Sequence, residues 1–475
     1  MTLKIETARH DMRALIFLLA AAVEKTYAGK RTLVVDHSFG DGFYCFLKEE
    51  QPLSTNALQD IEDAMRALHA AYPRIKLRKP RTSDWQYLKG PRSTEVNTGI
   101  LILGDYNSPS YEFTTLGLDD LPIFSLIPYE QGFLLRVAPD PDATELSPFH
   151  DTPRLFRIMR ENEEWGRILG VSTVSDLNET IMDMGFKRVI WVAEALQEKK
   201  LAAIADAINA RDSVQIIFVA GPSSSGKTTF TKRLSVQLAV NGIESKIISM
   251  DDYFLDRSEI RPQADGSLDF ESIDCLDLKS LRLDLKRLIY GEPVHYRNYD
   301  FHSGRQIVLP ETYQLNAHEV LILEGIHGLN PELVENIPDR SLYHIYISAL
   351  TQLNIDATHP VSTSDGRLIR RIVRDHNYRG YAAKETMDRW NSVRHGELRN
   401  IFPFQEEADM IFNSAMVYEL SVLKRYALPL LRQSPKNTVR DRLITLLSMF
   451  HSIPDRHIPG TSILREFIGK SFYSY

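Results

Sequence analysis

Gly221-Pro222-Ser223-Ser224-Ser225-Gly226-Lys227-Thr228-Thr229 spells the phosphate-binding pattern G-x-x-x-x-G-K-[ST]. The apolar run at 214–220 before it reads as a buried parallel strand, and Phe230, Leu234 and Leu238 after it repeat at helical spacing. That order is what the chemistry requires. A strand delivers the loop, Gly221 and Gly226 let the backbone wrap an anion, and the helix N-terminus points its N–H groups at the phosphates. Lys227 is expected to bridge the outer phosphates, and the Thr228 hydroxyl to reach Mg²⁺, with Ser223, Ser224, Ser225 and Thr229 completing the cradle. The expected ligand is a nucleoside triphosphate.

Around this loop, strands alternate with helices from residue 212 onward. Strands are predicted at 214–220, 245–250, 319–324, 342–348 and 409–413, the pattern of a parallel sheet covered on both faces. Three further features narrow the use of the triphosphate. Asp251, in Ser249-Met250-Asp251-Asp252-Tyr253-Phe254, leaves a strand tip where a carboxylate can take a proton from an attacking hydroxyl or hold Mg²⁺. Glu324 ends the apolar strand Leu321-Ile322-Leu323, where a second metal-shell carboxylate is needed. On a helix at 365–378, Arg367, Arg370, Arg371 and Arg374 share one stripe, opposite Leu368, Ile369, Ile372 and Val373. Such a stripe is commonly a solvated face. After a phosphate loop it fits a lid that clamps transferring phosphoryl oxygens, with Arg379 completing it.

The 475 residues exceed what one compact core holds, so two or three domains are expected. Hydrophobic residues at 43% and charged residues at 25% describe an ordinary globular protein, and the net charge of −7 argues against bulk nucleic-acid wrapping. Two cysteines, Cys45 and Cys275, argue against a disulfide scaffold or thiolate metal site. The apolar run at 14–23 reads as a buried helix, no stretch reads as a membrane span, and a cytoplasmic enzyme is the default. Residues 1–170 look α+β, with helices at 10–28 and 55–72 and strands at 31–36, 42–48, 98–103 and 132–137. Residues 171–211 read as a helical connector, and 212–475 as the phosphate-loop domain.

The segments Gly221–Thr229, 249–254, Asp269-Phe270-Glu271, Tyr299-Asp300-Phe301, Leu323-Glu324-Gly325 and Arg370-Arg371-Ile372-Val373-Arg374-Asp375 resemble, in order, those of uridine/cytidine kinases in the phosphoribulokinase/uridine kinase group. The resemblance covers about 212–430. The segments at 346–353 and 400–409 resemble a bacterial branch in which the kinase follows a threonyl-tRNA-synthetase-like domain. It implies ATP and Mg²⁺ as cofactors, Asp251 as base for a nucleoside 5′-hydroxyl, Thr228 and Glu324 at the metal, and Arg371 and Arg374 at the phosphoryl group. Phe270, Tyr299 and Phe301 would line the acceptor pocket, with Glu271 at the ribose diol, His302 beyond, and Arg379 nearby. The chain departs from the family where Glu271 replaces an aspartate, Ile273 a proline, and His302 aligns only across a one-residue gap.

Gly40-Asp41-Gly42-Phe43-Tyr44 and the following helix resemble the synthetase's editing-type domain. Its metal-binding His-x-x-x-His falls on Phe17 and Ala21 here, and its Cys/His pair has no counterpart near 116–125, so aminoacyl editing is not expected. His10 is read as a surface or capping residue. Arg74, Lys76, Arg78, Lys79, Arg81, Lys89 and Arg92, with Trp85 and Tyr87, read as a solvated loop or as an RNA-facing patch. The expected reaction is ATP- and Mg²⁺-dependent phosphorylation of a nucleoside. The alternatives are a kinase of another polyol or sugar and a nucleotide-regulated RNA-binding protein. The expected partner is a nucleoside-like small molecule, with no membrane and room for a homo-oligomer.

Overall fold

The computed structural model describes residues 2–48, 51–72, 74–81, 84, 98–111, 121–138, 143–262, 269–300, 303–335 and 337–474, with side chains from residue 12 onward. The N-terminal elements are α1 (Thr2–Tyr27), β1 (Leu33–Phe39), β2 (Gly42–Leu47), α2 (Thr55–Ala71), β3 (Lys76–Arg78), β4 (Gly99–Leu103), β5 (Tyr106–Ser110), β6 (Phe124–Tyr129) and β7 (Gly132–Val137). They form two antiparallel sheets, in the orders β1-β2-β7-β6 and β3-β4-β5. The apolar run at 14–23 is buried throughout α1, as expected, and packs with Leu58, Ile61 and Leu68 of α2 and with Val35 and Leu135. Ser54 caps α2, its Oγ accepting from the Ala57 N–H. Phe17 and Ala21 lie inside this core, Phe17 against the Tyr106 ring at 5.4 Å, so both positions are spent on apolar packing.

The chain continues through α3 (Pro153–Leu169), α4 (Val174–Met182) and α5 (Phe186–Asn209) to β8 (Ile216–Ala220), α6 (Lys227–Val240), β9 (Glu244–Ser249), α7 (Leu278–Ile289), β10 (Val294–Asp300), β11 (Arg305–Tyr313), β12 (Glu319–Gly325) and β13 (Leu342–Ser348). A short hairpin, β14 (Asn354–Asp356) and β15 (His359–Pro360), leads to α8 (Thr363–Arg379), α9 (Ala383–Asn400), β16 (Met410–Asn413), α10 (Glu419–Gln433), α11 (Thr438–Ser448) and α12 (Arg465–Ile468). Five parallel strands run in the order β16-β13-β8-β12-β9, and all five were expected from the alternation of strands with helices.

Alternation along each strand covers both faces of this sheet. Ile217 and Val219 of β8, with Val320 and Ile322 of β12, join a core with α5, α6, α8 and α10. Ile216, Phe218, Leu321 and Leu323 point the other way and meet Leu281, Leu285 and Leu288 of α7. Residues 171–211 contain α4 and α5, and α5 packs onto the parallel sheet. Val189, Ile190, Ala193, Leu201, Ile204 and Ala205 of α5 are buried in the sheet's own core. The β14–β15 hairpin reaches the N-terminal sheet, where the Val35 N–H donates to the Ala357 carbonyl (2.8 Å) and the Asn354 amide to the Val35 carbonyl (3.1 Å).

Candidate active site

The phosphate loop connects β8 to the first turn of α6 at the carboxyl end of the parallel sheet, the edge where open α/β sheets hold their ligands. Gly221 is required there, because a Cβ would lie 2.1 Å from the Ile347 carbonyl oxygen of neighbouring β13. Gly226 turns the chain into α6 at φ +87, in the left-handed region. The hydroxyls of Ser224 and Ser225 are buried and have no hydrogen-bond partner among the described residues. Buried polar atoms of that kind call for an occupant with acceptors, and a phosphate supplies them. Lys227 Nζ donates to the Gly221 carbonyl at 2.9 Å.

Two carboxylates face the loop from neighbouring strand tips. The Thr228 hydroxyl lies 3.0 and 3.3 Å from the two oxygens of Glu324, which ends β12. Burial raises the Glu324 pKa to about 7, against the opposing pull of Lys227. Asp251 is the second residue of the single helical turn after β9 (Met250–Tyr253), its N–H held by the Ser249 hydroxyl at 3.2 Å. Its side chain is exposed to solvent at the mouth of the cleft, with protein packed around its base. Desolvation by that packing raises its pKa, while Lys227, Arg379 and Arg374 lower it. Desolvation likewise lowers Lys227, against the fields of Glu324 and Asp251.

The four arginines of α8 do not form one face of a lid. Arg367 and Arg370 are fully buried braces of the loop backbone. Arg367 pairs with Glu397 of α9 (Nη1 to Oε2, 3.0 Å) and donates through Nε and Nη2 to the Ser223 carbonyl at 3.1 and 3.0 Å. Arg370 pairs with Glu419 of α10 at 3.1 and 2.6 Å, and donates to the Ser224 carbonyl at 3.3 Å and the Ser414 carbonyl at 2.9 Å. A helical stripe is as well satisfied by buried ion pairs as by water, and the carboxylates here come from other helices. Arg371 and Arg374 remain at the cleft. Arg371 donates to the Ser223 hydroxyl at 2.9 Å, and buried Asp375 collects Arg371, Arg374 and Arg379 at 3.2, 3.1 and 3.5 Å.

On the acceptor side, Glu271 lies against α9, where a Cβ on Gly396 would come within 2.4 Å of the Glu271 Cβ. Its carbonyl accepts from the Asn400 amide at 2.6 Å. Burial raises the Glu271 pKa to about 7; Arg371 and Lys227 oppose this, and Glu397 and Asp251 add to it. Phe270 is 40% exposed and meets Phe254 edge-on at 6.3 Å. Tyr299 is only 4% exposed and packs against Phe254 at 5.4 Å, within the α7-side core rather than on an open wall. Phe301 and His302 lie outside the described residues, as do Trp85, Tyr87, Lys89 and Arg92; so does the His10 side chain.

Lys227, Thr228, Asp251, Glu271, Glu324, Arg371, Arg374 and Arg379 thus lie together around the phosphate loop, each linked to another by a contact or by its field. Sequence reasoning missed Glu397, Glu419 and Glu466. Glu466 Oε2 accepts from the Thr229 hydroxyl at 2.8 Å and from its N–H at 3.1 Å. None of the three carries a local signal, because each meets its partner only through the tertiary fold. Asp375 was visible in the motif but had no assigned part.

The oxygen donors present fit Mg²⁺. A phosphate-loop magnesium takes one hydroxyl, one or two carboxylates and the substrate's phosphates, which is the set Thr228, Glu324 and Asp251 supply. Among the described residues there is no group of three or more His, Cys, Asp or Glu side chains that could hold an ion alone.

The family described as phosphoribulokinase/uridine kinase matches residues 216–421. The uridine kinase of Brevibacillus brevis is 31% identical over 199 residues, 41% of this chain and 83% of that protein. The uridine kinase of Borrelia hermsii is 29% identical over 218 residues, 45% of this chain and 95% of that protein. The solved structure of phosphoribulokinase from Rhodobacter spheroides shares 23% identity over 42% of this chain and 70% of that one, with a TM-score of 0.30. With its phosphate loop, its strand-end carboxylates and a relative spanned over most of its length, the chain belongs to the phosphoribulokinase/uridine kinase family.

Proposed function

We propose that residues 212–475 transfer the γ-phosphoryl group of ATP to the 5′-hydroxyl of a nucleoside. One observation carries this reading: Asp251 follows the β9 tip at Ser249, which pairs in register with Glu324 beside Thr228, and it has no ion-pair contact within 4 Å among those described. A nucleotide switch has no use for a base set there; an acceptor hydroxyl does. Asp251 takes the hydroxyl proton as the oxygen bonds to the γ-phosphorus and the bond to the β-phosphate oxygen breaks, leaving ADP. Lys227, Arg371 and Arg374 hold the transferring oxygens, and the braces Arg367 and Arg370 keep the loop carbonyls in place behind them. Thr228, Glu324 and Asp251 would hold Mg²⁺, which supplies charge neutralisation when bound. Glu271 is assigned to the acceptor's vicinal hydroxyls.

The uridine kinases named above make a pyrimidine ribonucleoside the first acceptor to try. Burial of Tyr299 favours a second reading, a sugar or other polyol, because the ring offers little face to a flat base. Steady-state turnover with ATP and Mg²⁺ across ribonucleosides, 2′-deoxynucleosides and sugars separates the two. Selective turnover of ribonucleosides supports the first reading; turnover of sugars alone replaces it with the second. For residues 1–170 we propose a synthetase-like α+β unit without the editing metal site.

A further inference from the structure

The C-terminal segment folds back onto the phosphate loop. Ile463, Leu464 and Phe467 are fully buried in the main core. Ile463 lies beside Gly226, where its Cγ2 would be 2.6 Å from an added Cβ. The Arg370 guanidinium sits over the Phe467 ring at 5.0 Å, and the Phe467 carbonyl accepts from the Asn377 amide of α8 at 2.9 Å. The Lys232 ammonium of α6 donates to the Ser474 carbonyl. The segment is therefore anchored at both the loop helix and the arginine helix.

This anchoring delivers Glu466, 9% exposed, to the first turn of α6. Its Oε2 takes both the backbone N–H and the hydroxyl of Thr229, the third residue of that helix. First-turn N–H groups have no partner inside their own helix and favour an anion, and in a phosphate loop they are the donors offered to the α- and β-phosphates. The Glu466 carboxylate also lies within the field of Lys227 and of Glu324, whose pKa it helps to raise. It is thus a negative charge bonded to a donor of the cradle and set among the groups that serve the phosphates.

We propose that Glu466 is an intramolecular competitor of the nucleotide's phosphates, so that the C-terminal segment sets nucleotide affinity by occupying the Thr229 N–H. The proposal rests on the triphosphate reading of the loop. Binding then requires the Glu466 side chain to rotate away, while the burial of Ile463 and Phe467 holds the backbone. Apparent affinity is then the intrinsic affinity scaled by the fraction of molecules with Glu466 withdrawn.

The test is equilibrium titration of the full chain with ATP and with ADP, comparing wild type, Glu466→Gln and Glu466→Asp. Glu466→Gln keeps an acceptor for the N–H and removes the charge. It is expected to bind both nucleotides about fivefold tighter or better. Glu466→Asp, one methylene shorter, is expected to fall between the two and guards against a folding defect in the first variant. Equal or weaker binding by both variants overturns the competition and leaves the triphosphate site standing. Binding of neither nucleotide by any of the three proteins overturns both.

Discussion

Arg367 and Glu397, 30 positions apart on consecutive helices, form a fully buried ion pair whose guanidinium also grips the Ser223 carbonyl of the phosphate loop. Glu397 in turn accepts from the Ser223 N–H at 3.1 Å. Both backbone groups of one loop residue are thereby held by a single pair. Arg367→Ala leaves the buried Glu397 carboxylate to Arg394 at 2.9 Å and the Ser223 N–H, and takes the guanidinium from the Ser223 carbonyl, which is expected to cost about 1–3 kcal/mol of unfolding free energy. Urea denaturation measures it; a loss below about 1 kcal/mol would place Arg367 among ordinary surface pairs.

Arg374 is expected to behave oppositely. Its partner Asp375 keeps Arg371 and Arg379, and the Arg374 side chain is 16% exposed. Arg374→Ala should leave the melting temperature near wild type and lower kcat by on the order of 10², the loss typical of one charge-stabilising donor. Unchanged kcat would remove Arg374 from phosphoryl transfer.

These two arginines also show where the sequence was legible. The phosphate loop was readable because a strand, two glycines, a lysine and a helix are contiguous and each is required locally. Of the five parallel strands, β8, β12 and β13 were readable because burial makes them largely apolar runs, whereas edge strand β9, with no buried residue, offered only Ile247-Ile248. By contrast, β5 contains Pro109, β6 contains Pro128, and β10 and β11 are rich in polar residues, so propensity argued against all four. The arginine spacing on α8 gave the shared stripe correctly. It could not divide that stripe into braces and cleft residues, since Glu397 and Glu419 meet it only after α9 and α10 pack. Glu466, 237 positions from Thr229, was invisible for the same reason.

Lys227→Ala is expected to abolish phosphoryl transfer while keeping the fold, because Lys227 serves phosphate charge and contributes little to the apolar core. Turnover at wild-type rate with unchanged thermal melting would contradict the assignment of the loop.

Glu271 makes stability depend on pH. Burial raises its pKa from 4.5 to about 7 in the folded protein, so the folded chain holds a proton there that the unfolded chain has lost. Its contribution is complete below pH 4.5 and is lost as pH rises through about 7. Glu271→Gln does not titrate, so its melting temperature should gain on wild type between about pH 5 and about pH 8. A difference independent of pH would mean that the carboxyl is solvated.

Asp251 carries the central claim, and the most direct measurement follows the label from γ-³²P-ATP into the acceptor. With Mg²⁺ and a ribonucleoside, wild type should yield a labelled 5′-monophosphate. Asp251→Asn, which keeps the shape and removes the base, should form it on the order of 10²–10⁴ times more slowly with little change in ATP affinity. Label released only as inorganic phosphate, or an Asp251→Asn variant transferring at the wild-type rate, would contradict the account.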